Sequence, residues 1–249
     1  MKVIYHPDYQ KVYASDPAAE AGRMEAILRE LEGHYDFLEP EPASEDDLRR
    51  VHTQSHIDSI KRNPLLYQAA CLSAGGAILA AKLAMGKEPS FGLIRPPGHH
   101  VSADHCWGFC FFNNIAVALA KLKEAKEISR AFILDFDLHF GDGTSNIFED
   151  SQIVYFQPGV EERQGFLKEI EARLETEKEY HILAVSAGFD RHEEDWGRAL
   201  KTDDYRFIGK LVKDASQNIC QGRRFALLEG GYNHRVLGKN VKAFLVGLE

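Results

Sequence analysis

The chain has 249 residues, 44% of them apolar and 27% charged, with a formal charge of −8. That length can bury a real core, and the absence of low-complexity tracts and internal repeats argues against disorder. Basic residues scattered on an acidic background leave no positive stripe to follow phosphates, so nucleic acid is not an expected partner, whereas cationic groups such as lysine side chains or polyamines are tolerated.

The amino-terminal MKVIYHPDYQ lacks the apolar run of a signal peptide, and its KVIY (2–5) is the first strand candidate. Met24, Ile27, Leu28 and Leu31 follow at helical spacing. The long apolar stretch 65–86 carries Gln68, Ser73, Lys82 and two central glycines, which marks a core helix rather than a membrane span. FGLI (91–94) is the next strand candidate and runs into RPPGHH. Beyond it, Asn113 and Asn114 are placed to cap a helix reaching about Glu127. Strand candidates AFILDFDL (131–138), QIVYF (152–156), HILAVS (181–186) and FALLE (225–229) complete the series. Segment 158–180 reads as a mostly polar helix. Thr202 is placed to cap a helix from Asp203 that carries Phe207, Ile208, Leu211 and Val212.

Alternating strands and helices predict an α/β fold: an open, mostly parallel, doubly wound sheet with helices on both faces, built as a single domain over 1–249. Cys71, Cys106, Cys110 and Cys220 lack the spacing of a zinc knuckle or disulfide framework, so reduced thiols and a cytoplasmic location are expected. No membrane partner is expected, and the oligomeric state stays open.

Open parallel sheets bind ligands beyond the carboxyl ends of their strands. The polar residues of this chain collect at four such ends. In DFDLHFGDG (135–143), Asp135, Asp137 and His139 alternate with apolar residues, which on an extended strand puts them on one side. Asp137 and His139 would then lie about 6 to 7 Å apart, near enough to share one metal with bonds of about 2 Å. Asp190, at the end of SAGFD, offers a third ligand and leaves a position open for water or substrate. Hydrolysis at such a site needs a base and an acid, and the adjacent His99 and His100 suit both roles. Asp135 and Asp142 are the obvious partners for their second ring nitrogens, and different partner geometry can separate the two pKa values. Tyr232, after the Gly230–Gly231 turn, can donate to an oxyanion. Gly108 and Phe109 can line a narrow apolar channel and Gly231 can stand against the substrate, with Phe111 and Phe112 packed in the core. The histidines His6, His52, His56, His105, His192 and His234 are read as surface or structural, with His105 and His192 flanking pocket loops.

Together, RPPGHH, GFCFFNN, DFDLHFGDGT, SAGFD and LEGGYN, with weaker likeness in YHPDY and VHTQSHIDSI, resemble the histone deacetylase superfamily, which also holds acetoin-utilisation proteins and acetylpolyamine amidohydrolases. The blocks stand in the family's order and span nearly the whole chain. The resemblance implies an arginase/deacetylase-like parallel α/β fold and zinc-dependent hydrolysis of an N-acetyl amide, either acetyl-lysine or a small acetylated amine. It implies Asp137, His139 and Asp190 as Zn2+ ligands, His99 and His100 as the dyad, Asp135 and Asp142 behind it, Tyr232 as transition-state donor, and a structural K+ around Asp135 to His139. Two departures stand out: Phe140 replaces a second histidine often found after the ligand histidine, and the long glycine-rich excursion usual between Gln157 and His181 is reduced. The second departure predicts a wider pocket and puts the potassium ligands after Tyr155 in doubt. Two rival readings stand beside it. An arginase-like binuclear manganese hydrolase wants additional acids near His139 and Asp190, where Arg191 and His192 stand instead. The other is a non-catalytic acetyl-ligand-binding module that keeps the metal pocket.

Overall fold

The computed structural model describes residues 1–249. Seven strands are named here in chain order: β1 (Lys2–Ile4), β2 (Asp36–Leu38), β3 (Ser90–Gly92), β4 (Ala131–Asp135), β5 (Ile153–Phe156), β6 (Ile182–Ala187) and β7 (Arg224–Leu228). They form one open sheet in the order β2-β1-β3-β7-β6-β4-β5, and every neighbouring pair is parallel. Nine helices accompany them: α1 (Arg23–Leu31), α2 (Glu45–Arg49), α3 (Gln54–Lys61), α4 (Pro64–Met85), α5 (Asn114–Glu124), α6 (Asp142–Phe148), α7 (Arg163–Thr176), α8 (Thr202–Cys220) and α9 (His234–Leu248). The α4–α5 pair and the α8–α9 pair form two layers, with α4 and α8 both packed on β6 and β7. The strands are therefore buried on both faces. All five residues of β4 and of β7 and all six of β6 are inaccessible, which is why these segments read as unbroken apolar runs rather than alternating ones.

One buried apolar cluster runs from Val3 to Leu248. Met24, Ile27, Leu28 and Leu31 are all buried along α1, as their spacing predicts. Helix α4 is long and apolar enough to cross a membrane by length and composition, but 61% of its apolar window is buried inside the protein. Helix α7 buries Phe166, Ile170 and Leu174, an i, i+4, i+8 stripe within the polar segment 158–180.

Several boundaries differ from expectation, for identifiable reasons. β4 ends at Asp135, short of the predicted Leu138. The backbone there turns away from the ladder because the Asp137 N–H donates to Asp135 Oδ1 and the His139 N–H to Asp137 Oδ1, each at 3.0 Å. Strand alternation is thus not what gathers these side chains; two consecutive aspartate turns do so. Strand β2 was not foreseen: it is a short edge strand, half-buried to exposed, with no apolar period to betray it. Thr202 is the first residue of α8 rather than its cap, and its hydroxyl donates to Asn240 Oδ1 at 2.7 Å. Asn113 does cap α5, accepting from the Ala116 N–H at 3.1 Å, and that helix stops at Glu124. On α8, Ile208 and Val212 are buried while Phe207 is exposed.

Candidate metal centre and catalytic pocket

The four strand ends singled out in the sequence belong to β3, β7, β6 and β4, which are consecutive neighbours in the middle of the sheet. Adjacency brings together groups far apart in the chain. Ligand atoms of Asp137, His139 and Asp190 lie within 4.8 Å of one another. Backbone amides aim the carboxylates: Gly230 N–H donates to Asp137 Oδ2 at 2.8 Å and Leu138 N–H to Asp190 Oδ1 at 3.1 Å. Any Cβ on Gly230 would stand 2.7 Å from both Asp137 Oδ2 and Asp190 Oδ2, so only glycine lets the β7 turn approach this closely. His139 Nδ1 is hydrogen-bonded to Asp137 Oδ1 at 3.4 Å and stands 3.1 Å from Asp190 Oδ2, which is sealed from solvent with no hydrogen-bond partner of its own. Burial pulls Asp137 upward, but His99, His139 and backbone amides outweigh it and hold it well below the usual carboxylate range. Burial, followed by the charge of Asp137, pushes Asp190 the other way. Two buried carboxylates and an imidazole, with one oxygen orphaned, fit a divalent cation; without one, the acids repel in a dry site.

The histidine pair stands beside this triad. His99 Nδ1 is 3.0 Å from Asp135 Oδ2 and its Nε2 is 3.8 Å from Asp137 Oδ1. His100 Nδ1 is 2.8 Å from Asp142 Oδ1, and the two rings lie 4.0 Å apart. The expected pairing of Asp135 and Asp142 with the dyad is thus present as geometry. Burial would lower His99, but the Asp137 and Asp135 charges, the hydrogen bond to Asp135 and the Glu229 charge hold it well above its ordinary value. Burial and the neighbouring His99 push His100 down against the opposing pull of Asp142. Two identical side chains are driven in opposite directions by their partners.

Tyr232 stands on a turn pinned from two sides. Arg23 of α1 donates to Gly231 O at 2.8 Å and Glu229 O at 2.6 Å, while Asp195 Oδ2 accepts from the Tyr232 and Asn233 N–H groups at 2.8 Å each. Burial, then Asp137 and Asp190, hold the phenol protonated by raising its pKa. Phe109 meets the Tyr232 ring edge-on at 6.0 Å, consistent with a shared channel wall. Gly108 lies against His100, where a Cβ would be 2.3 Å from the imidazole, and its φ of +61° suits glycine. Gly231, expected to touch substrate, has its carbonyl already taken by Arg23. Phe112 is buried and Phe111 packs against the core.

Three of the carbonyls in the segment expected to take potassium, those of Asp137, Leu138 and His139, already accept from side chains. Gln157 Nε2 donates to Asp137 O and His139 O, both at 2.9 Å, and Arg191 donates to Asp137 O at 3.1 Å and Leu138 O at 3.3 Å. A side-chain amide and a guanidinium occupy the place where a monovalent cation would be sought.

Sequence reasoning missed several residues here. Glu229 accepts from the N–H groups of Gly98 and His99 at 2.7 and 3.2 Å, and burial raises its pKa to about 7. Its position at the end of an apolar strand is the same signal that drew attention to Asp135. Trp107 donates to Asp142 Oδ2 at 2.9 Å and lies 3.9 Å from the His100 ring. Trp196 stacks on Tyr232 at 4.1 Å. Neither tryptophan belongs to a recognisable spacing. His52 and His192 are buried structural histidines: His52 accepts from Asn113 N–H at 3.0 Å, and His192 from Glu194 N–H at 3.2 Å.

Comparison with known proteins follows the same residues. The family model for the histone deacetylase domain matches residues 18–166 and 158–248, so its two pieces meet within the segment read as shortened. A probable deacetylase of Methanothermobacter thermautotrophicus is 32% identical over 305 aligned positions, covering 100% of this chain and 91% of the relative. That alignment is longer than the chain, so the relative carries segments that are lacking here. A histone deacetylase-like amidohydrolase of Pseudomonas aeruginosa is 31% identical over 246 positions, covering 77% of this chain and 65% of the relative. Among solved structures, the HDA15 HD domain superposes with a TM-score of 0.84 at 24% identity, covering 99% of this chain and 88% of that one, a likeness of fold.

Proposed function

The chain belongs to the histone deacetylase family, and from that premise we propose that it is a zinc-dependent amidohydrolase that releases acetate from N-acetyl amines, with Asp137, His139 and Asp190 as the metal ligands. The observation that carries this reading is the convergence of Asp137, His139 and Asp190 ligand atoms within 4.8 Å of one another beside a histidine pair whose Nδ1 atoms each face a carboxylate, Asp135 and Asp142. Bound zinc would supply Lewis acidity toward an acyl oxygen and toward water.

The chain's own groups account for the protons. With His100 Nδ1–H donating to Asp142, Nε2 carries the free lone pair and takes a proton from the attacking water. His99, with Nδ1 on Asp135 and Nε2 toward Asp137, is placed to stabilise negative charge developing on the acyl group. Tyr232 donates to the same oxygen from the opposite side. When the C–N bond breaks, the amine nitrogen receives the proton held by His100, and acetate and free amine leave. Acetyl-lysine and small N-acetylated amines both suit this chemistry. Four free thiols support a reducing compartment such as the cytoplasm.

The test is acetate release from acetyl-lysine peptides, acetylpolyamines and simple N-acetyl amines, with metal content measured and a chelator arm included. Turnover that disappears with chelator and returns with zinc is expected. A protein with one zinc per chain that is inert on all three classes, yet binds them, would overturn the reading in favour of a binding module.

A further inference from the structure

Three of the exposed large apolar side chains are aromatics around the metal triad: Trp107 at 48%, Phe140 at 57% and Trp196 at 49% exposure. Trp107 and Trp196 are the chain's two tryptophans. Ring contacts pass from Trp107 to His100 at 3.9 Å, to His139 at 6.1 Å, to Trp196 at 5.9 Å, to Tyr232 at 4.1 Å and to Phe109 at 6.0 Å. Phe109 is two residues from Trp107 in the same loop, so the succession closes on itself through Gly108. Six flat side chains, His139 of the triad among them, thus form a ring of contacts at the site. Two of the six are large, hydrophobic and half in water, which is costly unless something covers them.

The segment between β5 and β6 cannot supply that cover. It runs from Gln157 through residues 158–162 into α7, which packs on α8 and sets Phe166 under the Arg191 guanidinium. We infer that Trp107 and Trp196 rebuild the missing wall and act as specificity residues that select an unbranched alkyl stem on the acylated nitrogen; this rests on the amidohydrolase reading. Trp107 is in addition a positioning residue. Its indole N–H holds Asp142 Oδ2 while His100 holds Oδ1, so both carboxylate oxygens are committed and the His100 ring is clamped between Asp142 and the indole face. Trp196 meets the Tyr232 ring at 4.1 Å, but Phe109 and the Arg23 guanidinium contact that ring as well, so the phenol does not depend on Trp196 for its place. Flat walls grip a thin polymethylene stem over its whole length and exclude a stem that branches at the nitrogen-bearing carbon.

Because the only indoles in the chain line this ring, red-edge-excited emission reports the site and nothing else. Trp107→Phe leaves Trp196 as sole reporter, and Trp196→Phe leaves Trp107. The probes are N-hexylacetamide and N-cyclohexylacetamide, equal in carbon number and different in width. Saturable emission changes from both reporters with N-hexylacetamide, and binding about tenfold weaker for N-cyclohexylacetamide, are expected; this is the scale of a steric mismatch in an apolar pocket. Trp196→Ala should raise KM for the linear amide with little change in kcat and erase the preference, while Trp196→Phe restores it. Trp107→Phe should keep the preference but lower kcat, since it keeps the ring and loses the N–H. Equal affinity for the two probes, silent reporters, or alanine variants that keep the preference would overturn the inference. Preferential binding without acetate release leaves the ring standing and removes the amidohydrolase reading; acetate release with no shape preference does the reverse.

Discussion

Replacing Gln157 with alanine tests whether a side-chain amide has taken over work that the resemblance assigns to potassium. The amide makes four hydrogen bonds: Nε2 to Asp137 O and His139 O, and Oε1 from the Gly141 N–H and the Tyr155 hydroxyl. At about 1 kcal/mol net for each, and with water able to refill part of a half-buried site, the loss should be about 2–4 kcal/mol. Both acceptors of the Nε2 bonds belong to proposed metal ligands, so metal affinity should also fall by about 10- to 100-fold, the usual effect of removing a group that orients a ligand. Urea unfolding of the metal-free protein gives the first quantity and competition with a chromogenic chelator the second. Both are run in potassium chloride and in choline chloride at equal ionic strength. The wild type should be indifferent to the cation, because Arg191 and Gln157 fill the carbonyls. The alanine variant should recover stability in potassium, since its cage is half emptied. A wild type that loses stability in choline, or a variant as stable as wild type, would refute the reasoning.

Tyr232→Phe removes the phenol but keeps the stack on Trp196, so kcat should fall about 10²- to 10³-fold in steady-state assays while KM moves little. Asp142→Asn leaves a hydrogen-bonding group opposite His100 but removes its charge, and kcat should drop at least about tenfold; unchanged kcat would remove Asp142 from the proton path. Glu229 gives a pH signature whose sign is fixed. Burial raises its folded pKa to about 7 from an unfolded value near 4.5, so the folded state binds the proton more tightly and stability declines as pH rises between these values, by at most about 3 kcal/mol. Glu229→Gln should flatten that part of the profile in chemical denaturation run from pH 5 to 7.

The expected fold and the observed one agree because long apolar runs bounded by glycine, proline or aspartate leave little choice in a parallel sheet. Strands such as β4, β6 and β7 announce themselves by complete burial. Residues of the pocket were readable for a related reason: charged side chains such as Asp137 and Asp190 at the ends of such strands have no structural excuse. What stayed hidden depends on partners distant in the chain. Arg191 and Gln157 look like ordinary polar residues until their carbonyl acceptors are seen. Edge strand β2 pairs with β1 along a single side, and nothing in its three residues demands it. The predicted strand alternation at Asp135, Asp137 and His139 reached a correct grouping by an incorrect route, since turns and not extended backbone bring them together.

Delivery of the reactive groups by four central strands has a consequence for how the protein matures. No single hairpin, helix or half of the sheet contains a working set: β4 brings Asp137 and His139, β6 brings Asp190, and β7, close to the carboxyl terminus, brings Gly230 and Tyr232. On the proposed reading, metal acquisition and completion of the sheet become one event, and a half-made chain would have neither a secure hold on an ion nor the means to misuse it.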